Sequence, residues 1–203
     1  MDIDKNNMIF TELYTNIKQQ AEKSLTNLVK HAYEIENFLK NDFFSNHEII
    51  NIENSDASNH HLNLIIQSVQ NYLYDFIEII EHLTVWLELE IPSYNDTNDF
   101  CIVVQNEILD EIASMKSNSI AYINQIVDYR EQRALANKEL FKRPQFDDNY
   151  HLISNLDYQL YRNLKLILID IKSYILRICN ILTKNKDLIN RQSSCYQHVN
   201  SYF

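Results

Sequence analysis

Apolar side chains recur every three or four residues along four long stretches of the chain, the spacing that puts them on one face of an α-helix. These stretches run from about Asp4 to Leu39, from His60 to Glu90, from Val103 to Phe141 and from Tyr150 to Ile189. The second is the most regular, because its apolar positions between Leu62 and Leu87 alternate steps of four and three. That alternation is typical of a helix packed at a shallow angle against its neighbours. The pattern predicts four long helices.

Polar or helix-breaking residues separate these stretches. Residues 41–59, rich in Asn, Ser, Asp and His, predict a polar linker between the first two helices. Pro92 ends the second helix, because proline lacks a backbone amide and disfavours helical geometry in the residue before it. Short polar side chains follow and favour turns, so residues 93–101 are predicted to form a tight loop before the third helix.

The end of the chain completes the predicted architecture. Pro144 separates the third and fourth helices, and Asp147 and Asp148 are candidates for the N-cap of the fourth. Residues 190–203 lose the helical period, and we expect them to form a mobile tail. Short connections place successive helices antiparallel. The predicted fold is therefore all-α, an up-down four-helix bundle of long helices forming a single domain over residues 1–203.

Helices two and four carry more apolar positions than one bundle core requires. On helix two a second strip, through Ile65, Tyr72, Ile79 and Trp86, widens the apolar face. Exposed apolar strips of this extent usually mark contacts between subunits. We therefore expect the extra strips on helices two and four to pack against other copies of the chain.

Composition excludes several classes of function. The 203 residues include no glycine and only two prolines. Sandwiches and barrels need glycine in their tight turns, and nucleotide-binding loops need it where the backbone approaches phosphate, so both are disfavoured. The net charge of −10 argues against non-specific binding of nucleic acid. We expect no cofactor and no nucleic-acid partner.

Cysteine usage and hydropathy bear on where the protein resides. The three cysteines are odd in number and lack CxxC spacing, which favours a reducing compartment over a disulfide framework or a zinc site. No run approaches the ~20 apolar residues of a membrane span. We expect a protein of the cytoplasm, the nucleus or both, with no membrane partner.

The sequence contains single histidine-carboxylate pairs but no complete metal-binding motif. A di-iron carboxylate enzyme built on a helical bundle needs two Glu-x-x-His motifs on facing helices. The chain offers Asp148-x-x-His151 and the pair Glu78 and His82, four residues apart on helix two. Solvated side chains are the favoured interpretation of that pair, and no metal site is expected. The di-iron enzyme is kept as an alternative.

Neither of two further features of the sequence, two cysteines and a cluster of basic residues, indicates a catalytic site. Cys101 has no histidine near it in the sequence, which disfavours catalysis, and Cys179 lies in an apolar run typical of a core. Toward the end of helix three the basic residues are Arg130, Arg133, Lys138, Lys142 and Arg143. Basic residues stabilise the negative end of the helix dipole, and this is the favoured interpretation of the cluster.

Motifs on both sides of the predicted loop resemble a known family. Trp86, Leu89, Ile91 and Pro92 form a W-x-x-L-x-I-P sequence directly before the loop. In and after it, a second set of matching positions comprises Asp96, Asn98, Phe100 and Gln105. Together these resemble the signature of the 11S regulator (REG) family of proteasome activators. The departures are Asn95 for glutamate, Thr97 and Cys101 for glycine, and Asp99 for the second asparagine.

The resemblance extends over most of the chain. Before helix two it includes FLKND, residues 38–42. Along helices three and four the matching residues are Gln125, Ile126, Tyr129, Arg133, Ala134, Lys142, Pro144, Asp148, Asp157, Leu164, Lys184 and Asn185.

The resemblance implies a function and its site residues. Members of the family are non-catalytic, ATP-independent activators of the 20S proteasome that form heptameric rings. Their activation loop opens the gate in the proteasome α-ring, and here it corresponds to Ser93, Tyr94, Asn95, Asp96, Thr97, Asn98, Asp99, Phe100 and Cys101. Their C-terminal tails dock on the α-ring, which here implicates Ser201, Tyr202 and Phe203. A helical adaptor without a proteasome role is the other alternative.

Overall fold

Four long α-helices form the structure of the chain. The computed structural model describes residues 3–40, 44, 59–91 and 100–189. The helices are α1, Ile3–Lys40; α2, His60–Glu90; α3, Phe100–Lys142; and α4, Asp147–Lys184, followed by the single turn α5, Lys186–Ile189. No strand occurs within these ranges. The predicted all-α fold, a bundle of four long helices, is confirmed.

Local chemistry fixes where the helices begin and end. Asn59 caps α2, because its Oδ1 accepts a hydrogen bond of 3.0 Å from the backbone amide of Leu62. At the end of α3 the amide of Arg143 still reaches the carbonyl of Glu139 at 3.0 Å, and Pro144 follows. Asp147 and Asp148 lie in the first turn of α4, where acidic side chains favour the helix dipole. Their predicted role as N-caps is therefore wrong, since the helix already includes them.

The helices differ from the sequence-based bounds by a few residues. The bounds of α2 are those predicted, whereas α3 begins at Phe100 rather than at about Val103. The region 150–189 holds two helical segments, because Asn185 interrupts the helix between α4 and α5. The amide side chain of Asn185 donates to the carbonyl of Ile181 at 2.9 Å and takes part in this break.

The chain divides into two compact units, and each of the four helices contributes to both. Unit 1 comprises Met1–Lys30, Phe76–Lys116 and Tyr174–Phe203, and unit 2 comprises His31–Asp75 and Ser117–Ser173. The prediction of a single domain over residues 1–203 stays a prediction.

Unit 1 has a core of apolar side chains from all four helices. Its buried members are Ala21, Leu28, Phe76, Ile79, Ile80, Leu83, Leu87, Ile108, Ile112, Met115, Ile175, Ile178 and Leu182. The rings of Phe76 and Tyr174 stack with centroids 6.2 Å apart. Glu111 on α3 pairs with Arg177 on α4, and Glu81 on α2 pairs with Lys116 on α3.

Unit 2 has a core of the same kind, and its buried members include Ala32, Ile35, Leu62, Ile65, Ile66, Val69, Leu73, Ile126, Leu164, Ile167, Leu168 and Ile171. Ala136 and Leu140 of α3 pack on Ile153 of α4 in a smaller cluster. Phe44, inside the predicted polar linker, is buried, with its ring 5.7 Å from Phe38 and 5.5 Å from Tyr161. Residues 41–43 and 45–58 of that linker lie outside the described part of the chain.

The extra apolar strip of α2 corrects one expectation. Ile65, Ile79 and Trp86 are buried within the chain itself, with 0%, 8% and 9% of their surface exposed. These three side chains of the second strip are therefore used inside the chain's own core. The prediction that this strip packs against other subunits is wrong for Ile65, Ile79 and Trp86, whereas Tyr72 is half-buried. The large apolar side chains that α4 leaves exposed are Leu152, Tyr158, Leu166, Ile169 and Leu176.

Candidate functional site

The last turn of α2 contains a buried carboxylate. Glu90 is 5% exposed, and its Oε1 accepts two hydrogen bonds. The indole N–H of Trp86, one turn earlier, donates at 3.1 Å, and the hydroxyl of Tyr14 on α1 donates at 2.6 Å. Hydrogen bonds to a charged acceptor are stronger than neutral ones, and they offset part of the cost of burying the carboxylate. The network holds the end of α2 against α1, immediately before the predicted loop.

The phenol of Tyr14 is held in its protonated form. Burial raises its pKa from 10.0 to about 12, and the hydrogen bond to Glu90 and the negative charge of that carboxylate act in the same direction. Tyr14 therefore remains a hydrogen-bond donor over the whole neutral range of pH.

The second turn of α3 contains a buried side-chain acceptor. Gln105 is 2% exposed, and its side-chain oxygen has no hydrogen-bond partner among the residues that the structure describes. A buried carbonyl oxygen in this condition costs about 1–3 kcal/mol. Gln105 follows the predicted loop and is one of the residues on which the family resemblance depends.

The predicted loop and tail are described only at their edges. Residues 93–99 lie outside the described part of the chain, and so do Ser201, Tyr202 and Phe203. Phe100 and Cys101 belong to the first turn of α3, so the predicted loop extended two residues into a helix. Their side chains are also outside the description. The roles assigned to the loop and the tail stay predictions.

Unit 2 contains a buried ion pair that joins α3 to α4. Asp157 is 8% exposed and accepts three hydrogen bonds. The hydroxyl of Tyr129 donates to its Oδ1 at 2.7 Å, the Nε–H of Arg133 donates to the same oxygen at 2.8 Å, and a second guanidinium N–H reaches Oδ2 at 3.3 Å. A guanidinium held in this forked manner fixes both partners in one geometry.

The surroundings shift the pKa values of both donors. Burial raises the pKa of the Tyr129 phenol, and the hydrogen bond to Asp157 and its charge raise it further. Burial alone would lower the pKa of Arg133, but the hydrogen bond and charge of Asp157 outweigh it and the pKa is raised. Arg133 therefore belongs to a buried network, and the interpretation of the basic cluster as a helix-dipole feature is wrong for this residue.

A groove of about 700 Å³ lies in unit 1 between α1, the end of α2, the end of α4 and α5. Its apolar lining consists of Leu25, Val29, Trp86, Leu182 and Ile189. Lys18, Glu22 and Lys186 place charges beside this lining. Cys179 also faces the groove; it is half-buried, and burial raises the pKa of its thiol. The prediction of Cys179 as a core residue is wrong, since the groove leaves it partly accessible.

The residues considered for metal binding are dispersed. Within the described ranges, no group of three or more His, Cys, Asp or Glu side chains is placed to hold a metal ion. His82 faces Ser24, with 3.2 Å between Nδ1 and Oγ. His151 and Asp148 are exposed. None of the described helices is long and apolar enough to cross a membrane.

The Glu90 and Asp157 networks were not predicted from sequence. The spacing within one helix shows that two members of each network are neighbours. Trp86 and Glu90 are four residues apart and share a face of α2, and Tyr129 and Arg133 do the same on α3. The partners Tyr14 and Asp157 are 76 and 24 residues away in the chain, and no local pattern identifies them.

Comparison with known proteins places the chain in a family. The model of the family described as proteasome activator PA28, C-terminal, matches residues 56–196. Proteasome activator complex subunit 3 of Homo sapiens and of Mus musculus are each 28% identical over 137 residues, covering 68% of this chain and 54% of the relative. The chain thus spans about half the length of the curated relatives it matches.

A solved structure shares the fold. The 11S subunit of the Plasmodium falciparum proteasome, PA28, superposes with a TM-score of 0.79 over 95% of this chain and 96% of that chain, at 21% identity. The family match covers more than half of the chain and includes the predicted loop, α2, α3 and α4. The resemblance to 11S regulators is confirmed, and the chain belongs to the PA28 family of proteasome activators.

Proposed function

We propose that this chain is a non-catalytic, ATP-independent activator of the 20S proteasome. The observation that carries the proposal is the family match over residues 56–196, because it includes the loop and both helices that hold it. The curated relatives that it matches are named as subunits of a proteasome activator complex. Activation in this proposal stimulates the hydrolysis of peptides by the proteasome and involves no reaction on the activator itself.

In this proposal one segment opens the gate of the proteasome and another binds the proteasome. The loop 93–101 contacts the α-ring of the proteasome and opens its gate. Ser201, Tyr202 and Phe203 dock on the same ring and supply the affinity. The buried Glu90, with its two donors, supports this division, because a loop that displaces part of another protein needs a rigid base.

Assembly into a homo-heptameric ring is the second part of the proposal. One short tail binds weakly, whereas seven tails on one scaffold act at a high effective concentration. The exposed leucines of α4 support assembly: Leu166 and Leu176 are 57% and 58% exposed, which is unfavourable in water. Native mass spectrometry should give the mass of seven copies. A stable monomer or dimer at micromolar concentration would contradict the ring.

The proposal is tested by peptide turnover. Purified 20S proteasome should hydrolyse a fluorogenic peptide faster when the protein is added in the absence of ATP. Removal of residues 201–203 should abolish stable co-sedimentation with the proteasome and leave the mass of the ring unchanged. An unchanged rate of hydrolysis with the full chain would contradict activation, and full-affinity binding of the truncated chain would contradict the role of the tail.

A further inference from the structure

A second, smaller cavity in unit 2 has a lining of basic and amide side chains. Its volume is about 240 Å³, and it lies between the start of α2 and the later part of α3. Its polar wall consists of Asn59, Asn63, Arg130, Arg133 and Asn137. Two arginines and three asparagines therefore line one cavity. All five side chains contain N–H donors, and no carboxylate among the described residues contributes to the lining.

Arg130 provides a charge that no carboxylate of the described residues neutralises. Its side chain is exposed, and among the described residues its hydrogen-bond partner is the neutral Oε1 of Gln70, at 3.3 Å. No ion pair of Arg130 occurs in the described ranges. A guanidinium has five N–H donors, so a single long bond to an amide leaves donors available to a ligand.

Arg133 lines one side of the cavity with a side chain that is held in one position. Its bonds to Asp157 hold the guanidinium in place, and Asp157 neutralises its charge. The hydroxyl of Tyr129, whose ring also lines the cavity, bonds to the same carboxylate. The cavity thus has one rigid side, set by this network, and one adaptable side, set by Arg130.

The N-terminus of α2 also favours a negative charge at this cavity. Asn59 and Asn63 belong to the N-cap and first turn of α2, and both line the cavity. The first turn contains no acidic residue. The positive end of the helix dipole is therefore not compensated within its own turn. The N-terminus of α2 and Arg130 therefore both favour a negatively charged ligand at this cavity.

We propose that this cavity binds an oxyanion of the phosphate class. A tetrahedral anion accepts several hydrogen bonds at once, which suits a cavity lined by two arginines and three asparagines. The negative charge of the whole chain opposes the approach of any anion, so the affinity comes from these local donors. Salt screens the attraction between the anion and Arg130, and the affinity therefore falls as the salt concentration rises. The inference goes beyond the proposed function, because the site lies apart from the loop and the tail in sequence and its test needs no proteasome.

Inorganic phosphate and O-phosphoserine are the probes. Each is titrated into the full chain by calorimetry at constant ionic strength, with chloride as the reference anion. A ligand that binds the folded state alone also raises the unfolding temperature, which provides a second measurement. Saturable binding of phosphate supports a site for the free ion, and tighter binding of phosphoserine supports a site for a phosphorylated side chain.

Variants assign the binding to the cavity. Arg130→Gln should weaken the affinity about tenfold, since a hydrogen bond to a charged group is lost. Arg130→Lys should retain part of it, because the charge remains and the fork is lost. Arg162→Gln is the matched control: the same charge is removed in the same unit, where Arg162 lies 5.8 Å from the ring of Tyr158 and outside the cavity. Absence of saturable binding, or equal losses in Arg130→Gln and Arg162→Gln, would overturn the proposal.

Discussion

The hydroxyl of Tyr14 lies 2.6 Å from Oε1 of Glu90 and donates a hydrogen bond to it, which joins α1 to the last turn of α2. The indole of Trp86 donates to the same oxygen. The end of the helix before the loop is therefore held by a buried charged acceptor as well as by apolar packing. A directional bond of this kind fixes the orientation of the helix end, which apolar contacts do less well.

Neutralising the shared acceptor should loosen this helix end. Glu90→Gln keeps the shape of the side chain and removes the charge, so both donors lose strength. We expect the free energy of unfolding to fall by about 1–3 kcal/mol. Because Trp86 is the only tryptophan of the chain, its fluorescence during denaturation in urea reports on this network directly. The matched control is Glu88→Gln, an exposed residue in the same turn. Equal effects of the two substitutions would contradict the role of Glu90.

Alkaline pH should weaken the same contact. Since the pKa of Tyr14 is raised from 10.0 to about 12, its contribution to stability is fully present below pH 10.0 and is lost as the pH rises toward about 12. Tyr14→Phe should therefore lower stability at neutral pH and flatten the decline of stability over that alkaline window. Urea unfolding at a series of pH values measures both effects. Tyr74→Phe, at a residue 54% exposed, should leave the profile unchanged. An unaltered alkaline decline in Tyr14→Phe would exclude this assignment.

Removing the acceptor of the second network should destabilise the protein more strongly. Asp157→Asn leaves the largely buried guanidinium of Arg133 without its counter-charge. We expect the free energy of unfolding to fall by about 3–5 kcal/mol. The double substitution Arg133→Met with Asp157→Leu removes both charges and should recover most of that loss. Chemical denaturation compares the two, and a double variant as unstable as Asp157→Asn would show that the charge is not the cause.

The helices were predictable because their signal is periodic and long. The bounds of α2 follow from the regular apolar steps between Leu62 and Leu87 and from Pro92, which stops the helix. The start of α3 was placed late, because Phe100 follows a polar run and begins the helix before the apolar period is established. Phe44 was missed for a related reason: a single aromatic residue in a polar segment has no period, although its ring is buried.

The buried polar contacts were not predictable because they depend on tertiary packing. Periodicity places Glu90 and Asp157 in the apolar register, since Glu90 follows Leu87 by three residues and Asp157 precedes Leu160 by three, but it does not identify the partners that bury them and donate hydrogen bonds to them. The same limit explains the error on the second strip of α2. Ile79 and Trp86 were correctly read as apolar, but whether they face the chain's own helices or another subunit depends on the arrangement of neighbouring helices.

The loop offers a way to separate binding from activation. With no glycine in the chain, any left-handed position in residues 93–99 must be taken by another residue, and Asn and Asp tolerate that geometry best. We predict that Asn98 helps to fix the shape of the loop through bonds from its side chain to the backbone. Asn98→Tyr removes those bonds and adds bulk at the proposed contact face. The mutant should form the same assembly as the wild type by native mass spectrometry.

The most direct test measures two properties of the wild type and Asn98→Tyr on the same preparation. Association with immobilised 20S proteasome is followed by surface plasmon resonance, and turnover of a fluorogenic peptide is followed in solution without ATP. We predict that both proteins associate with similar affinity and that only the wild type accelerates turnover. Failure of the wild type to accelerate turnover would contradict the proposed function, and full acceleration by Asn98→Tyr would contradict the role of the loop.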